Sequence, residues 1–335
     1  MAKIGIVGLG YWGPNLLRNF YGQPLCSKLW ACDSDPKRIA HMQTRFPGVT
    51  FVTSYDELLQ SDIDGVAIAT PVNTHYPLAK QALNANKHVF IEKPLAASVE
   101  KARDLVSHAA TNKLTIMVGH TFEYSPPVIK IKELIERGEL GRIFFISSMR
   151  VNLGLHQRDV SVIWDLAPHD LSMLFSWLKE KPKTVSATGA AFVQQGIFDV
   201  AFISAVFPSG CIAHLEVSWL APSKLRRTAI VGDKKMLVYD DTETVEKVKI
   251  FDRGVNFKSP ESFGEFHLSY RTGDIWSPKL DQTEPLALET LDFLLAIDKG
   301  KIPRADGHAG LRVVEALAAA QKSLEQGGVP IALDL

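Results

Sequence analysis

The run Lys3-Ile4-Gly5-Ile6-Val7-Gly8-Leu9-Gly10-Tyr11-Trp12-Gly13 constrains the fold more than any other part of the chain. Ile4, Ile6 and Val7 read as a short buried strand. Gly8, Gly10 and Gly13 spell G-x-G-x-x-G, and a helix-like stretch follows over residues 14–20. A dinucleotide-binding βαβ unit needs this order. Gly8 permits the tight turn, Gly10 lets backbone approach a pyrophosphate, and Gly13 lets the helix pack close to the strand. N–H groups at the helix start then face the phosphates. Asp33 stands twenty positions after Gly13, where a carboxylate accepts hydrogen bonds from the adenosine ribose. A 2′-phosphate there would meet that carboxylate, so the expected cofactor is NAD. Lys37 and Arg38 lie close by in sequence and leave some room for NADP.

A chain of 335 residues is long enough for two domains. Lys plus Arg and Asp plus Glu both number 37, so the formal net charge is zero. That balance lacks the basic excess of a nucleic-acid binder. No apolar run has bilayer-spanning length, and the N-terminus carries no secretory h-region. Cys26, Cys32 and Cys211 form no close pair and no metal-like spacing, which reads as free thiols in a reducing cytoplasm.

Strand and helix signals alternate through the first third. Strands are expected at residues 29–32, 50–52, 65–69, 89–91 and 115–118. Helices are expected at 35–46, 54–60, 74–86 and 98–112. Asp35 before Pro36 reads as an N-cap, and Ser54 with Glu57 has capping-box spacing. This is a doubly wound, mostly parallel α/β sheet, the Rossmann pattern. After Gly119 a helix runs over 126–137. Strands then follow in succession at 143–151, 185–193, 201–207, 211–219, 226–231, 236–239 and 248–251. Strands without intervening helices indicate a largely antiparallel sheet. One helix, over 166–178, interrupts the series, and two more, over 284–299 and 305–325, close the chain. The expected division is a Rossmann domain over 1–120 and an α/β substrate-binding and oligomerisation domain over 121–335.

Three further segments carry chemistry. Thr70, Pro71 and Asn73, at the carboxyl end of the fourth strand, lie where ligands of a doubly wound sheet bind. They read equally as an ordinary βα loop with Thr74 as N-cap, and His75 as a helix-start or surface residue. Glu92-Lys93-Pro94 follows the next strand. Pro94 holds the preceding residue extended, with a cis bond possible. A crevice lysine can stabilise a developing alkoxide, although a solvated loop lysine fits the same pattern. Trp164-Asp165-Leu166-Ala167-Pro168-His169-Asp170 opens the interrupting helix. Proline is tolerated in a first helical turn, so the helix should start just before Pro168, with Asp165 as N-cap. His169, four residues on, shares the Asp165 face. An imidazole suits a base near neutral pH; a capped helix with a core histidine is the plainer alternative.

Together these segments resemble the glucose–fructose oxidoreductase, inositol dehydrogenase and MocA family. The resemblance covers nearly the whole chain. It rests on Gly8-Leu9-Gly10-Tyr11-Trp12-Gly13, Ala69-Thr70-Pro71 with His75, Glu92-Lys93-Pro94, and Asp165-x-x-x-His169. It implies a sugar dehydrogenase in which Lys93 and His169 are the catalytic pair and Asp165 contacts or orients substrate. The implied NAD contacts are Gly8, Gly10, Tyr11, Trp12, Gly13, Asp33, Thr70, Pro71, Asn73, His75, Glu92 and Lys93, and no metal is implied. Residues 11–16, 164–170, 231–236 and 270–275 are most similar to nucleotide-sugar 3-dehydrogenases of the UDP-N-acetylglucosamine type. That likeness implies oxidation at a sugar C3, with an NDP-ketosugar reductase or a polyol dehydrogenase as alternatives. A cofactor-binding regulator would have no use for Lys93 with His169. Arg150, Arg158, Arg226, Arg227 and Arg271 are candidates to meet a diphosphate. In the strand-rich domain, Ile203, Ala205, Phe207, Ile212, His214 and Glu216 alternate faces, and the resemblance implies dimers or tetramers through that sheet.

Overall fold

The computed structural model describes residues 1–154, 160–257 and 268–333. They form two compact units, Met1–Ser125 with Thr283–Ala318, and Pro126–Gln282 with Ala319–Leu335.

In the first unit, strands β1 (Ala2–Val7), β2 (Cys26–Cys32), β3 (Thr50–Val52), β4 (Gly65–Ile68), β5 (His88–Glu92) and β6 (Ile116–Gly119) alternate with helices. The helices are α1 (Gly13–Tyr21), α2 (Pro36–Gln43), α3 (Tyr55–Gln60), α4 (Val72–Asn84) and α5 (Val99–Thr111). The sheet order is β3-β2-β1-β4-β5-β6, and every pairing is parallel. This is the Rossmann order, with its switch point between β1 and β4. β4 and β6 are buried along their whole length, as helices on both faces require. The expected caps form: Asp35 accepts from the Lys37 N–H at 2.9 Å, and Ser54 from the Glu57 N–H at 3.4 Å. A third cap, Ser98, accepts from the Lys101 N–H at 3.3 Å.

The second unit holds α6 (Pro126–Glu136), β7 (Ile143–Leu153), α7 (Val162–Leu178), β8 (Thr184–Ala190), β9 (Val200–Val206) and β10 (Ile212–Ser218). It continues with β11 (Leu220–Gly232), β12 (Met236–Asp240), β13 (Val248–Phe257) and β14 (Leu268–Trp276). After α8 (Pro285–Lys299) and α9 (Gly307–Glu325), β15 (Ile331–Ala332) pairs with β8. The nine strands run β14-β13-β12-β11-β7-β10-β9-β8-β15, with only β7–β10 parallel. Ala201, Ile203, Ala205, Ala213, Leu215 and Val217 line the buried face. Phe202, Val206 and Ile212 point the other way and stay exposed.

Three expectations are corrected. The helix expected over 166–178 begins at Val162, with Ser161 at the N-cap, so Asp165 lies in its first turn and Pro168 inside it. Residues before Pro168 supply enough apolar surface (Val162 and Ile163 are fully buried) to extend the helix through the proline. The helix expected from Thr74 begins two residues earlier, after Pro71. Residues 283–318, placed by sequence in the second domain, belong to the first unit. The reason is aromatic packing: Phe293 of α8 meets Phe20 of α1 and Phe90 of β5 edge-on, with centroids 6.3 and 5.8 Å apart. Strand β14 had no distinct signal in the sequence.

Candidate active site

The glycine loop follows β1 at the switch point. Gly8 has φ +93°, a conformation that favours glycine. A Cβ on Gly8 would also lie 2.7 Å from the Ala69 carbonyl oxygen, because the loops after β1 and β4 touch there. A Cβ on Gly13 would fall onto the Gly8 carbonyl oxygen. Gly10 is different: a Cβ there would meet only Arg38 Nη1, at 3.6 Å, so its backbone is open to an incoming group. No acidic side chain occupies the first turn of α1, which leaves the helix N-terminus available to an anion.

Beside the loop lies a cleft of about 760 Å³ lined by, among others, Gly8, Gly10, Tyr11, Trp12, Asp33 and Arg38. Asp33 ends the β2 side of the cleft and is nearly buried. Its Oδ2 accepts from the Leu9 N–H at 2.6 Å and lies 3.4 Å from Arg38 Nη1, while Oδ1 accepts from the Asp35 N–H at 2.8 Å. The carboxylate therefore fixes the glycine loop as well as facing the cleft. Thr70 and Pro71 line the opposite wall. Asn73 does not: it is exposed on α4, and Thr74 takes the wall position. Thr53, Tyr55, Pro77 and Leu78 also line the cleft. Sequence reading missed them because nothing in a short strand, a capped helix or a mid-helix proline marks a cofactor wall.

His75 is not a surface residue. It is 1% exposed, and its Nδ1 and Nε2 lie 2.8 and 2.9 Å from the carbonyl oxygens of Pro94 and Thr70. A neutral ring donates to one of them, and burial holds its pKa below the ordinary histidine value. His75 thus braces the loop carrying Lys93 against the loop carrying Thr70. Lys93 follows the end of β5, and the Lys93–Pro94 peptide is cis.

In the second unit, Asp165 and His169 stand four residues apart on α7, both partly exposed. Asp165 Oδ2 accepts from the Trp219 indole N–H at 3.0 Å. No local motif announced this Trp219 contact. The neighbouring Asp170 points inward instead: it accepts from Arg150 Nε at 2.5 Å and from Ser148 Oγ at 2.8 Å. Arg150 and Asp170 are buried together, so Arg150 is held inside the unit and not offered to a diphosphate. Arg226 pairs with Asp241 at 3.3 Å and Arg271 with Asp252 at 3.1 Å. Arg227 is exposed on β11, and Arg158 lies outside the described residues.

Residues 2–120 match the family model of an oxidoreductase family with an NAD-binding Rossmann fold, and residues 128–238 match the Gfo/Idh/MocA C-terminal domain. The chain belongs to the Gfo/Idh/MocA family. It is an NAD-dependent oxidoreductase. It is 26% identical to the UDP-N-acetylglucosamine 3-dehydrogenase of Acidithiobacillus ferrooxidans, over 96% of this chain and 97% of that one. The solved structure of that enzyme superposes with a TM-score of 0.82 at 24% identity, covering 97% and 98% of the two chains. GenD2 from gentamicin A biosynthesis, solved in complex with NAD, shares the fold with a TM-score of 0.83 at 23% identity, covering 100% and 97%. An uncharacterised oxidoreductase of Streptococcus pneumoniae is 30% identical over 64% of this chain, which spans 62% of that protein.

The first unit of this Gfo/Idh/MocA protein fits a dinucleotide. Gly10 presents open backbone, the Gly8–Gly13 contact closes the turn beneath it, and Asp33 and Thr70 stand on the two walls. Bound NAD supplies the hydride acceptor. Among the described residues no helix is long and apolar enough to cross a membrane.

Proposed function

We propose that this oxidoreductase oxidises a nucleotide-linked sugar, UDP-N-acetylglucosamine or a close relative, at C3. In this reading His169 takes the hydroxyl proton as general base. Lys93 holds the same oxygen and stabilises the charge it develops. Asp165, fixed by Trp219, orients the substrate. The observation that carries the reading is end-to-end similarity to a UDP-N-acetylglucosamine 3-dehydrogenase, combined with Glu92-Lys93-Pro94 and Asp165-x-x-x-His169.

A second reading, a free polyol such as inositol, gains support from the arginines. Arg150, Arg226 and Arg271 are each met by a carboxylate, which leaves fewer cations for a diphosphate than the sequence suggested. The test compares NADH production from UDP-N-acetylglucosamine, free N-acetylglucosamine and myo-inositol. Turnover restricted to the nucleotide sugar supports the first reading; equal or better turnover of a free polyol replaces it with the second. Lys93→Ala and His169→Ala should each lower kcat by about 10²–10⁴-fold while NAD still binds. Near-normal turnover in either variant removes that residue from the chemistry.

We also propose a homodimer or homotetramer in the cytoplasm. Phe202, Val206 and Ile212 expose an apolar stretch on one sheet face, beside Phe145 of β7, and such a surface fits a second copy. The three cysteines are unpaired, as a reducing compartment keeps them. A monomer by light scattering at micromolar concentration counts against the assembly.

A further inference from the structure

Around the end of β5, next to Lys93 in the chain, the first unit gathers a set of buried polar groups. Glu92 ends β5, and Gly119 is its partner on β6. A Cβ on Gly119 would lie 2.8 Å from Glu92 Oε2, so the side chain crosses the β6 backbone. The next residue, His120, is wholly buried, and neither ring nitrogen has a hydrogen-bond partner. Thr121 follows, and its hydroxyl donates to Glu289 Oε2 at 2.8 Å. Glu289 enters from α8, wholly buried, with Oε1 unpartnered. Glu92 retains some solvent contact as a residue, but its Oε1 has none and is also unpartnered. The Lys93 backbone N–H and the Trp12 indole N–H face the Glu92 carboxyl and favour its ionised form, against the larger effect of burial.

The charges around this cluster do not neutralise two carboxylates. Lys93 is the cation acting on Glu92. The charged groups acting on Glu289 are Glu92, Glu123 and Asp292, all acidic. Asp292 is occupied elsewhere, with the Tyr124 hydroxyl at 2.9 Å and Lys301 Nζ at 3.0 Å. His120 adds no positive charge, since burial and Lys93 push its pKa down to about 3. Burial also raises both carboxyls, Glu92 to about 8 and Glu289 well above the ordinary carboxyl range, where the Glu92 charge adds to its own desolvation. Two interacting carboxyls in such a site do not both ionise at neutral pH.

We propose that Glu92 and Glu289 form a proton-holding carboxyl pair beside Lys93, and that Glu92 is a positioning residue for the dehydrogenation. When protonated, Glu92 leaves the Lys93 charge to the reacting oxygen; when ionised, it draws that charge back. The second half rests on Lys93 acting as described under Proposed function; the first half does not.

Two measurements on the NAD-bound enzyme test this. Infrared difference spectra at pH 7 between wild type, Glu92→Gln and Glu289→Gln read the carbonyl stretch of neutral carboxylic acids. Each variant should lose one such band, and the wild-type Glu92 band should fade as pH rises through about 8. Spectra unchanged by either substitution overturn the pair, whatever the substrate proves to be. If Glu92→Gln does not fold, the pH dependence of the wild-type band alone decides: a band absent at pH 7 overturns the pair. With a turned-over substrate, wild-type kcat should fall about tenfold between pH 7 and pH 9. Glu92→Gln should lack that alkaline fall, whereas a purely structural role would leave it in place. An unmoved alkaline limb overturns the positioning role while leaving the pair intact. If none of the tested sugars is oxidised, the function reading fails and the infrared result still stands.

Discussion

Asp170→Asn isolates the buried centre of the second unit. Asp170 receives Arg150 through Nε at 2.5 Å and Nη2 at 3.4 Å, and Ser148 Oγ at 2.8 Å. Ser148 is in turn 2.9 Å from the Thr228 hydroxyl. β7, β11 and α7 are thus joined through one carboxylate. Asparagine keeps the shape and can still turn its oxygen to Arg150. The Ser148 hydroxyl can then rotate and accept from the amide. What is lost is the negative charge, and the Arg150 guanidinium remains buried without it. Removing one member of a buried pair costs about 3–5 kcal/mol. For a unit of this size each kcal/mol moves the melting temperature by about 2–4 °C, so the transition should fall by roughly 10 °C. Thermal melts followed by circular dichroism and guanidinium titrations followed by tryptophan fluorescence both read it. The double variant Arg150→Met/Asp170→Leu removes both charges and should recover most of the loss. Because Asp170 follows His169, turnover is to be normalised to folded protein. A single variant within about 1 kcal/mol of wild type refutes the reasoning, since a buried ion pair cannot lose one charge so cheaply.

Three other outcomes are expected. Gly13→Ala should weaken NAD binding by at least about tenfold, because the added methyl group forces the loop off the Gly8 carbonyl at a strain of about 1–3 kcal/mol; calorimetry reads it, and unchanged affinity contradicts the cradle. Asp33→Ala should raise the ratio of NADP to NAD affinity by about tenfold or more, since it removes the carboxylate that lies against Arg38 beside the ribose position; a constant ratio removes Asp33 from cofactor selection. Acid should destabilise the first unit through His120. The unfolded imidazole binds a proton below about pH 6.5, whereas the native ring stays neutral down to about 3. The His120 contribution to stability is therefore complete above pH 6.5 and is lost as pH falls toward 3, by about 2 kcal/mol at pH 5. From pH 7 to pH 5 the buried Glu92 and Glu289 carboxyls favour the native state and oppose the histidine, so the guanidinium midpoint should fall further, or rise less, in wild type than in His120→Phe, and equal changes would exclude His120 as a source.

What could be read from the residues was local. Gly8, Gly13, Asp35 and Ser54 each state a backbone requirement within a few positions, and the first sheet follows from their sequence. Proline misled at α7 because its penalty is local, while the burial of Val162 and Ile163 that overrides it is tertiary. His75 looked like a helix-start residue because its partners, the Pro94 and Thr70 carbonyls, are backbone groups with no sequence signature. The arginines were ambiguous for the complementary reason. Their type suggested phosphate, and only the fold brings Asp170, Asp241 and Asp252 to them. Glu289 carried no signal at all, being an acidic residue in an amphipathic helix until α8 is placed beside Thr121.

The edge-on contacts of Phe293 with Phe20 and Phe90 bear on how the chain is made. A ribosome releases residues 1–125 long before residue 293 emerges. During that interval the nascent dinucleotide-binding unit has all its strands but lacks a wall of its core, leaving two phenylalanine rings without their third. Synthesis at about 5–20 residues per second makes the delay last on the order of ten seconds or more. A stalled chain ending near residue 282 should therefore be a preferred client of trigger-type chaperones and a poor NAD binder, and protease resistance of the N-terminal segment should appear only once α8 has cleared the exit tunnel.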